Sequence, residues 1–102
     1  MKIAIASVED NINSQISTKA GRAPYYLIFE DKKLVETWKN PFAVGGGGAG
    51  WSVARELANK NVDEIVCGEF GENFTQALEK ENIKGVESKK TVEEYISKSS
   101  EK

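Results

Sequence analysis

The sequence predicts an α/β domain in which a five-stranded mixed sheet lies between helices on both faces. Three observations predict this fold. Short apolar segments with a strand period recur along the chain, and two of them flank a polar turn typical of a hairpin. Two glycine-marked turns run directly into segments whose apolar residues have helical spacing. A capping-box pattern near the end of the chain predicts a further helix.

The first half of the chain is predicted to form three strands. Residues 2–7 alternate isoleucine with alanine, and the small alanines would let a helix pack closely on one face. Residues 8–23 are polar and are predicted to be a loop. Residues 25–29 are apolar on both faces, which is typical of an interior strand, and residues 34–38 pair with them across a polar turn at 30–33.

The second half of the chain alternates helices with strands. Glycines mark the entry to the first two helices, and Thr91 with Glu94 forms the capping box of the third. Residues 97–102 are expected to fray. The predicted elements are a helix that follows the glycine run at 45–50 and ends near Ala58, a strand at 63–67, a helix from Glu72, a strand at 83–86 and a helix from Thr91.

The order of these elements predicts a sheet topology. Strand–helix–strand connections normally join parallel strands through right-handed crossovers. The first three strands form a meander, and the last two join the sheet through helices. We therefore predict the strand order 3-2-1-4-5 with only the second strand antiparallel, which is the ribonuclease H-like type of three-layer fold. A flavodoxin-like sheet is the alternative, but it would need a helix between the first two strands.

Composition limits the function. The 102 residues suit a single domain, and 39% hydrophobic with 29% charged residues suits a folded protein. The formal net charge is −2 and no segment is strongly basic, so nucleic-acid binding is not expected. No signal-peptide core or membrane-length apolar run is visible, so a cytoplasmic location without membrane association is expected. The chain has no histidine and only Cys67 as a thiol, which excludes a multi-cysteine metal cage within one chain.

Four segments converge at one edge of the predicted sheet. They are the end of the first strand at Ser7, the start of the second at 22–24, the glycine run at 45–50 and the turn at 68–71. Ligands of open α/β sheets bind at the carboxyl ends of the strands, and two helix N-termini beside Arg22 favour an anion there. The alternative interpretation is that these glycines only permit close packing.

Familiar catalytic motifs fit poorly. Trp51 stands where a Walker loop has its phosphate-binding lysine, which argues against nucleotide hydrolysis. The first predicted strand carries no carboxylate for a nuclease metal site, and no nucleophile–base pair is visible, so an enzyme is not expected. Cys67 precedes a helix N-terminus, which would lower its pKa, although a lone cysteine at a strand end is more often simply buried.

The motifs G-R-A-P at 21–24, G-G-G-A-G at 46–50 and C-G-E-F-G-E-N-F at 67–74 resemble the dinitrogenase iron–molybdenum cofactor biosynthesis family. The resemblance spans nearly the whole chain and implies the ribonuclease H-like fold. It also implies a non-enzymatic protein that binds iron–sulfur or iron–molybdenum cofactor precursors, with metal-cofactor assembly proteins or an acceptor protein as partners. The chain departs from the family pattern at 19–20, where it has lysine and alanine in place of histidine and phenylalanine, and at Glu72, where proline is usual.

Convergence and resemblance together place a candidate binding site at this edge. Three functions are predicted, in order of preference: a carrier of an anionic iron–sulfur or iron–molybdenum cluster, a metal-free interaction module that uses Phe42, Trp51 and Phe70, and a small-anion or nucleotide binder. A monomer or weak homodimer is expected, and Cys67 is the only thiol candidate for a metal. The candidate binding residues are Ser7, Lys19, Gly21, Arg22, Gly45, Gly46, Gly47, Gly48, Gly50, Gly68, Glu69, Gly71 and Asn73.

Overall fold

The computed structural model describes residues 1–44 and 49–99, with side chains in the last helix described as far as Ser97. Every predicted helix and strand is present, and the bounds differ from the predicted ones by at most two residues. The elements are β1 (Lys2–Ser7), β2 (Tyr25–Glu30), β3 (Lys33–Lys39), α1 (Ala49–Asn59), β4 (Glu64–Cys67), α2 (Glu72–Lys80), β5 (Lys84–Glu87) and α3 (Val92–Ser99).

The sheet has the predicted strand order β3-β2-β1-β4-β5. β2 is antiparallel to both β1 and β3, whereas β1 pairs in parallel with β4 and β4 with β5. Only β2 therefore runs against the other four strands, as predicted. The flavodoxin-like alternative is excluded, because residues 8–24 join β1 to β2 without a helix.

Side-chain alternation along β1 divides the core between the two faces of the sheet. Ala4 and Ala6 belong to a cluster that also contains Leu57 of α1 and Leu78 of α2. Ile5 belongs to a second cluster on the opposite face, which is covered by α3. One pair of helices on one face and one helix on the other make up the three layers.

The first two helices end in the same way. Asn61 and Asn82 follow α1 and α2 with φ values of 64° and 60°. In each case the N–H of the next residue, Val62 or Ile83, donates to a leucine carbonyl five residues earlier, at 3.1 and 2.9 Å. This is the Schellman arrangement, with asparagine in the left-handed position that glycine usually takes. It turns the chain from each helix into the strand that follows.

The β2–β3 hairpin has a tighter turn than predicted. Only Asp31 and Lys32 lie between the strands, and both have positive φ, 49° and 73°, as a two-residue hairpin turn of this kind requires. The polar segment at 8–23 is a loop, as predicted, but it is anchored to the sheet. The Ser17 N–H donates to the Ala6 carbonyl at 2.9 Å, and the Ile16 side chain is buried in the cluster covered by α3.

The capping box at the start of α3 is confirmed. The Thr91 N–H donates to Glu94 Oε1 at 2.9 Å, and the Glu94 N–H donates to Thr91 Oγ1 at 3.2 Å. α3 continues to Ser99, so residues 97–99 are helical, and the rest of the segment that was expected to fray lies outside the described residues. Within the described ranges, none of the helices has the length and apolar character needed to span a membrane.

Candidate functional site

A groove of about 560 Å³ lies where the loop after β1 meets the starts of α1 and α2. Its lining comes from three segments that are distant in sequence. The topology brings them together, because β1 and β4 are parallel neighbours and the chain leaves both at the same edge of the sheet. The predicted binding residues that line the groove are Lys19, Gly21, Arg22, Gly50, Gly71 and Asn73.

Backbone packs against backbone in one wall of the groove. A Cβ atom added to Gly21 would lie 2.9 Å from both the Cα and the N of Gly50, in the first turn of α1. A Cβ atom added to Gly50 would lie 3.3 Å from the Phe74 side chain of α2. Neither glycine has a positive φ, so space rather than backbone conformation requires glycine at Gly21, and at Gly50 an added Cβ atom would make a tight contact with Phe74. The close-packing interpretation therefore applies to both residues, and their contact is what shapes the wall.

The start of α2 also lines the groove and has no side-chain cap. Gly71 is the N-cap residue, with φ −75° and ψ 160°, and nothing lies within 4 Å of the position its Cβ would take. The Thr75 N–H donates to the Gly71 carbonyl at 3.0 Å, which closes the first helical turn. The N–H groups of residues 72–74 come before that bond in the chain, so helix geometry gives them no acceptor within the helix. Groups in this position at the positive end of a helix dipole are the ones that an anion can use.

Charged side chains of both signs line the groove. Lys19 is exposed and Arg22 is half-buried, and both belong to the loop between β1 and β2. Glu72 lies in the first turn of α2, where a carboxylate interacts favourably with the helix dipole but would repel a bound anion. The groove thus combines two cationic side chains with one carboxylate. The sequence predicted Glu72 as the start of a helix and as a departure from the family pattern, but it was not among the candidate binding residues.

Buried hydrogen bonds hold the loop between β1 and β2 in position. Asn40 is 4% exposed, and its Nδ2 donates to the carbonyls of Gly21 and Ala23, each at 2.9 Å. The Tyr26 hydroxyl donates to the Ala20 carbonyl. Asn40 was not among the candidate binding residues predicted from the sequence. The signal for its role was weak, because an asparagine before a proline is typical of any turn.

Other predicted binding residues lie away from the groove. Ser7 is fully buried, and its hydroxyl donates to the backbone carbonyl two residues later. Gly68 is buried against the loop, and a Cβ atom added to it would lie 2.8 Å from Thr18 Cα. Glu69 is exposed, with a carboxylate oxygen 3.9 Å from Lys89 Nζ. The predicted residues Gly45, Gly46, Gly47 and Gly48 lie outside the described residues.

Cys67 is enclosed in the core beneath α1 and α2. Its side chain is fully buried, and Sγ donates to the Glu69 carbonyl at 3.1 Å. Burial raises the pKa of the thiol to about 12, which is opposite to the lowered pKa considered from its place before a helix. Within residues 1–44 and 49–99, no group of three or more histidine, cysteine or acidic side chains is placed to hold a metal ion.

The three aromatic residues predicted to form an interaction surface differ in exposure. Trp51 is 41% exposed and follows Gly50 in the first turn of α1. Phe42 and Phe70 are partly buried and pack against the core beneath α1 and α2. Phe70 also stacks on Phe74, with ring centroids 5.9 Å apart. Of these three residues, Trp51 offers a partner the largest exposed fraction.

Comparison with known proteins supports the resemblance seen in the sequence. Residues 1–102 match the family model described as "Dinitrogenase iron-molybdenum cofactor". The chain is similar to the apo form of the orange protein from Desulfovibrio gigas, with a TM-score of 0.87 and 22% identity over 95% of this chain and 84% of that one. It is also similar to a NifB-like protein from Thermotoga, with a TM-score of 0.81 and 28% identity over 98% and 87% of the two chains. No curated protein matches the chain.

A further solved structure has the same fold. It is a dinitrogenase-like protein from Methanocaldococcus jannaschii, with a TM-score of 0.62 and 22% identity over 96% of this chain and 89% of that one. Because the orange protein and the Methanocaldococcus jannaschii protein are each 22% identical to this chain, their similarity establishes only the fold. The family match extends over every residue, and the three motifs that carry the resemblance, at 21–24, 46–50 and 67–74, each contribute residues to the groove. The chain therefore belongs to the dinitrogenase iron-molybdenum cofactor family.

Proposed function

We propose that this protein is a non-enzymatic carrier that holds an anionic iron–sulfur or iron–molybdenum cofactor precursor in the groove between α1 and α2. The observation that carries the proposal is the start of α2, where a helix N-terminus without a side-chain cap shares the groove with Lys19 and Arg22. Membership of the family supports it. So does similarity to a protein described as NifB-like.

The groove suits a cargo that is bound as an anion. Backbone N–H groups at a helix N-terminus and cationic side chains form charge-assisted hydrogen bonds with sulfide or oxo ligands. Cys67 is buried away from the groove, so binding would not depend on a bond between the protein thiol and the metal. Release then requires only the exchange of hydrogen bonds with water. This suits a protein that receives a cargo from a cofactor-assembly protein and passes it to an acceptor protein.

The test is anaerobic loading of the purified protein. The protein is incubated with isolated iron–molybdenum cofactor, or with ferrous iron and sulfide, and separated from excess reagent by gel filtration. Visible absorbance and the metal-to-protein ratio are then measured. We expect the wild type to retain metal and the double variant Lys19→Gln/Arg22→Gln to lose most of it, because the cationic groups of the groove are gone.

The matched control is Lys33→Gln/Lys39→Gln, which removes the same charge from exposed positions on β3. It should load as the wild type does. A Cys67→Ala variant should also load normally, because the thiol lies in the core. A wild type that retains no metal, or a control that loses as much metal as the groove variant, would contradict the proposal. Loss of loading in Cys67→Ala would show thiolate ligation instead.

A metal-free interaction module is the second candidate, and the exposure of Trp51 favours it. An exposed tryptophan is a typical anchor of a protein interface. The discriminating experiment is affinity capture from cell extract under metal-free conditions with wild type, Trp51→Ala and Arg22→Gln. Capture of a partner that requires Trp51, but neither Arg22 nor metal, would favour this function over the carrier.

The third candidate is a small-anion or nucleotide binder that uses the same N–H groups at the start of α2. A ligand that binds only the folded state raises the melting temperature, and the shift grows with the logarithm of its concentration above Kd. Inorganic phosphate and nucleotides at millimolar concentration should then stabilise the protein, and less so in Lys19→Gln/Arg22→Gln. The absence of any shift would eliminate this candidate while leaving the cluster carrier open to its own test.

A further inference from the structure

A second cavity of about 580 Å³ lies on the other face of the sheet, beside α3. Its floor contains Ile3, Phe29 and Val86, from β1, β2 and β5, and Tyr95 and Ile96 of α3 form a wall. The α1 and α2 helices cover the opposite face of the sheet. The cavity and the groove therefore lie on opposite sides of the sheet and share no lining residue.

The two sites also lie at different ends of the strands. Glu64 and Lys84 are the first residues of β4 and β5, and both line the cavity. The groove is lined by residues that follow the carboxyl ends of the parallel strands β1 and β4. A molecule in the cavity would thus not contact a cargo in the groove, and its binding can be measured separately.

The floor of the cavity is apolar and incompletely covered. Ile3, Val86, Tyr95 and Ile96 pack against the core cluster beneath α3 but are only partly buried. A cavity of this volume with a mainly apolar lining falls in the range that holds small organic ligands. A ligand that covers these side chains would gain free energy from the apolar surface it removes from water.

The two carboxylates that line the cavity already have partners. Glu64 is 8% exposed and accepts a hydrogen bond from the Tyr95 hydroxyl at 2.8 Å. The Asp31 carboxylate lies 3.5 Å from the amino nitrogen of Met1. A buried carboxylate in an apolar wall is costly unless it is hydrogen-bonded. The Glu64–Tyr95 pair therefore completes the wall rather than offering a free acidic group to a ligand.

The rim of the cavity carries positive charge. Lys32, Lys84 and Lys90 line it, and all three are exposed. Lys32 lies in the hairpin turn and Lys84 begins β5, and neither forms an ion pair with a carboxylate of the described residues. Their charge is available to an anionic group that enters beside the apolar floor. The chain as a whole has a net charge of −2, so this concentration of lysines is local.

We propose that this cavity binds a small apolar molecule with one anionic group, such as a medium-chain carboxylic acid. The apolar part lies on Ile3, Phe29 and Val86, and the carboxylate lies beside Lys32 and Lys84 at the rim. This binding is independent of the carrier function proposed for the groove. Its failure would leave the loading experiments unaffected, and the failure of loading would leave this site untouched.

The test is a titration of the full chain with sodium decanoate, followed by amide NMR. We expect saturable shifts at residues near Ile3, Val86 and Ile96. Decylammonium, which has the same tail and the opposite charge, should bind about tenfold more weakly, a difference of about 1.4 kcal/mol. Lys32→Gln/Lys84→Gln should weaken decanoate binding about tenfold and leave decanol binding unchanged, whereas Lys33→Gln/Lys39→Gln should change neither.

A second variant tests the floor. Val86→Trp fills the cavity from a half-buried position, and it should abolish decanoate binding while its amide spectrum away from α3 stays that of the wild type. Three results would overturn the proposal: decanoate binding weaker than about 1 mM, equal binding of decanoate and decylammonium, or saturable shifts at Gly50 and Gly71 in place of the cavity.

Discussion

Gly21 and Gly50 are in backbone contact, although 28 positions of the chain separate them: a Cβ atom on Gly21 would come within 2.9 Å of the Gly50 Cα and N atoms. This contact joins the loop after β1 to the first turn of α1. It fixes the distance between two of the three segments that line the groove. The relationship leads directly to a prediction about stability.

Gly21→Ala should destabilise the protein by about 1–3 kcal/mol, because the added methyl group must displace backbone atoms rather than a flexible side chain. Urea unfolding followed by circular dichroism measures the change. Gly71→Ala is the matched control, since nothing lies within 4 Å of its Cβ position and its φ of −75° suits alanine. The control should cost less than about 1 kcal/mol. Equal costs at the two positions would show that the loop moves aside easily.

Gly71→Asp should have opposite effects on stability and on binding. The new carboxylate caps the N-terminal N–H groups of α2 and interacts with its dipole, so the protein should gain about 0.5–1 kcal/mol of stability. The same carboxylate occupies the groups that an anionic cargo would use, so metal loading should fall. Urea unfolding and the metal-to-protein ratio measure the two effects. A variant that is more stable and loads normally would show that the start of α2 does not contact the cargo.

Asn40→Ala should loosen the loop between β1 and β2. It removes both 2.9 Å bonds from Nδ2 to the carbonyls of Gly21 and Ala23, and leaving buried groups unpaired costs about 1–3 kcal/mol. The exchange rates of the loop amides should increase by more than the loss of global stability accounts for. Asn13→Ala, at an exposed position, is the control and should change neither measurement. Unchanged exchange in Asn40→Ala would place the restraint on the loop elsewhere, for example in the Gly21–Gly50 contact.

Stability should fall as the pH rises above about 9. Burial raises the pKa of Cys67 from 9.0 to about 12, and it also raises the pKa of the buried Tyr26 hydroxyl. Between pH 9 and about pH 12 the unfolded chain releases the Cys67 thiol proton while the folded chain keeps it. The free energy of unfolding therefore decreases as the pH rises. Urea unfolding across this range measures the slope. Cys67→Ala should make the slope shallower, and an identical slope in that variant would show that the thiol is not responsible.

The fold was predictable because its signals are local and agree with one another. Alternation in β1 gave the bounds Lys2–Ser7 without error, and the pairing of Thr91 with Glu94 located the start of α3. The hairpin turn was shorter than predicted because Asp31 and Lys32 adopt positive φ, which neither residue type strongly signals. The strand order followed from connection rules that do not depend on individual side chains.

The candidate site was predictable only in its location. Topology places strand ends at one edge of the sheet, but it does not say which side chains are exposed there. Ser7 and Cys67 both end strands, and packing buries both side chains completely. Glu72 and Asn40 were not among the candidate binding residues, because their roles depend on the distances between segments. Such distances arise from tertiary packing, and no periodic pattern in the sequence indicates them.

Different groups determine the shape of the groove and its chemistry. The main-chain contact between Gly21 and Gly50 shapes one wall. The contact itself is made by main-chain atoms, whereas the charged groups of the groove are side chains at its surface. Under the proposed carrier function, selectivity for one cargo over another depends on the exposed groups around that contact, chiefly Lys19, Glu72 and Asn73. A few surface substitutions would therefore change the charge and size of the groove while the contact between Gly21 and Gly50 stays the same.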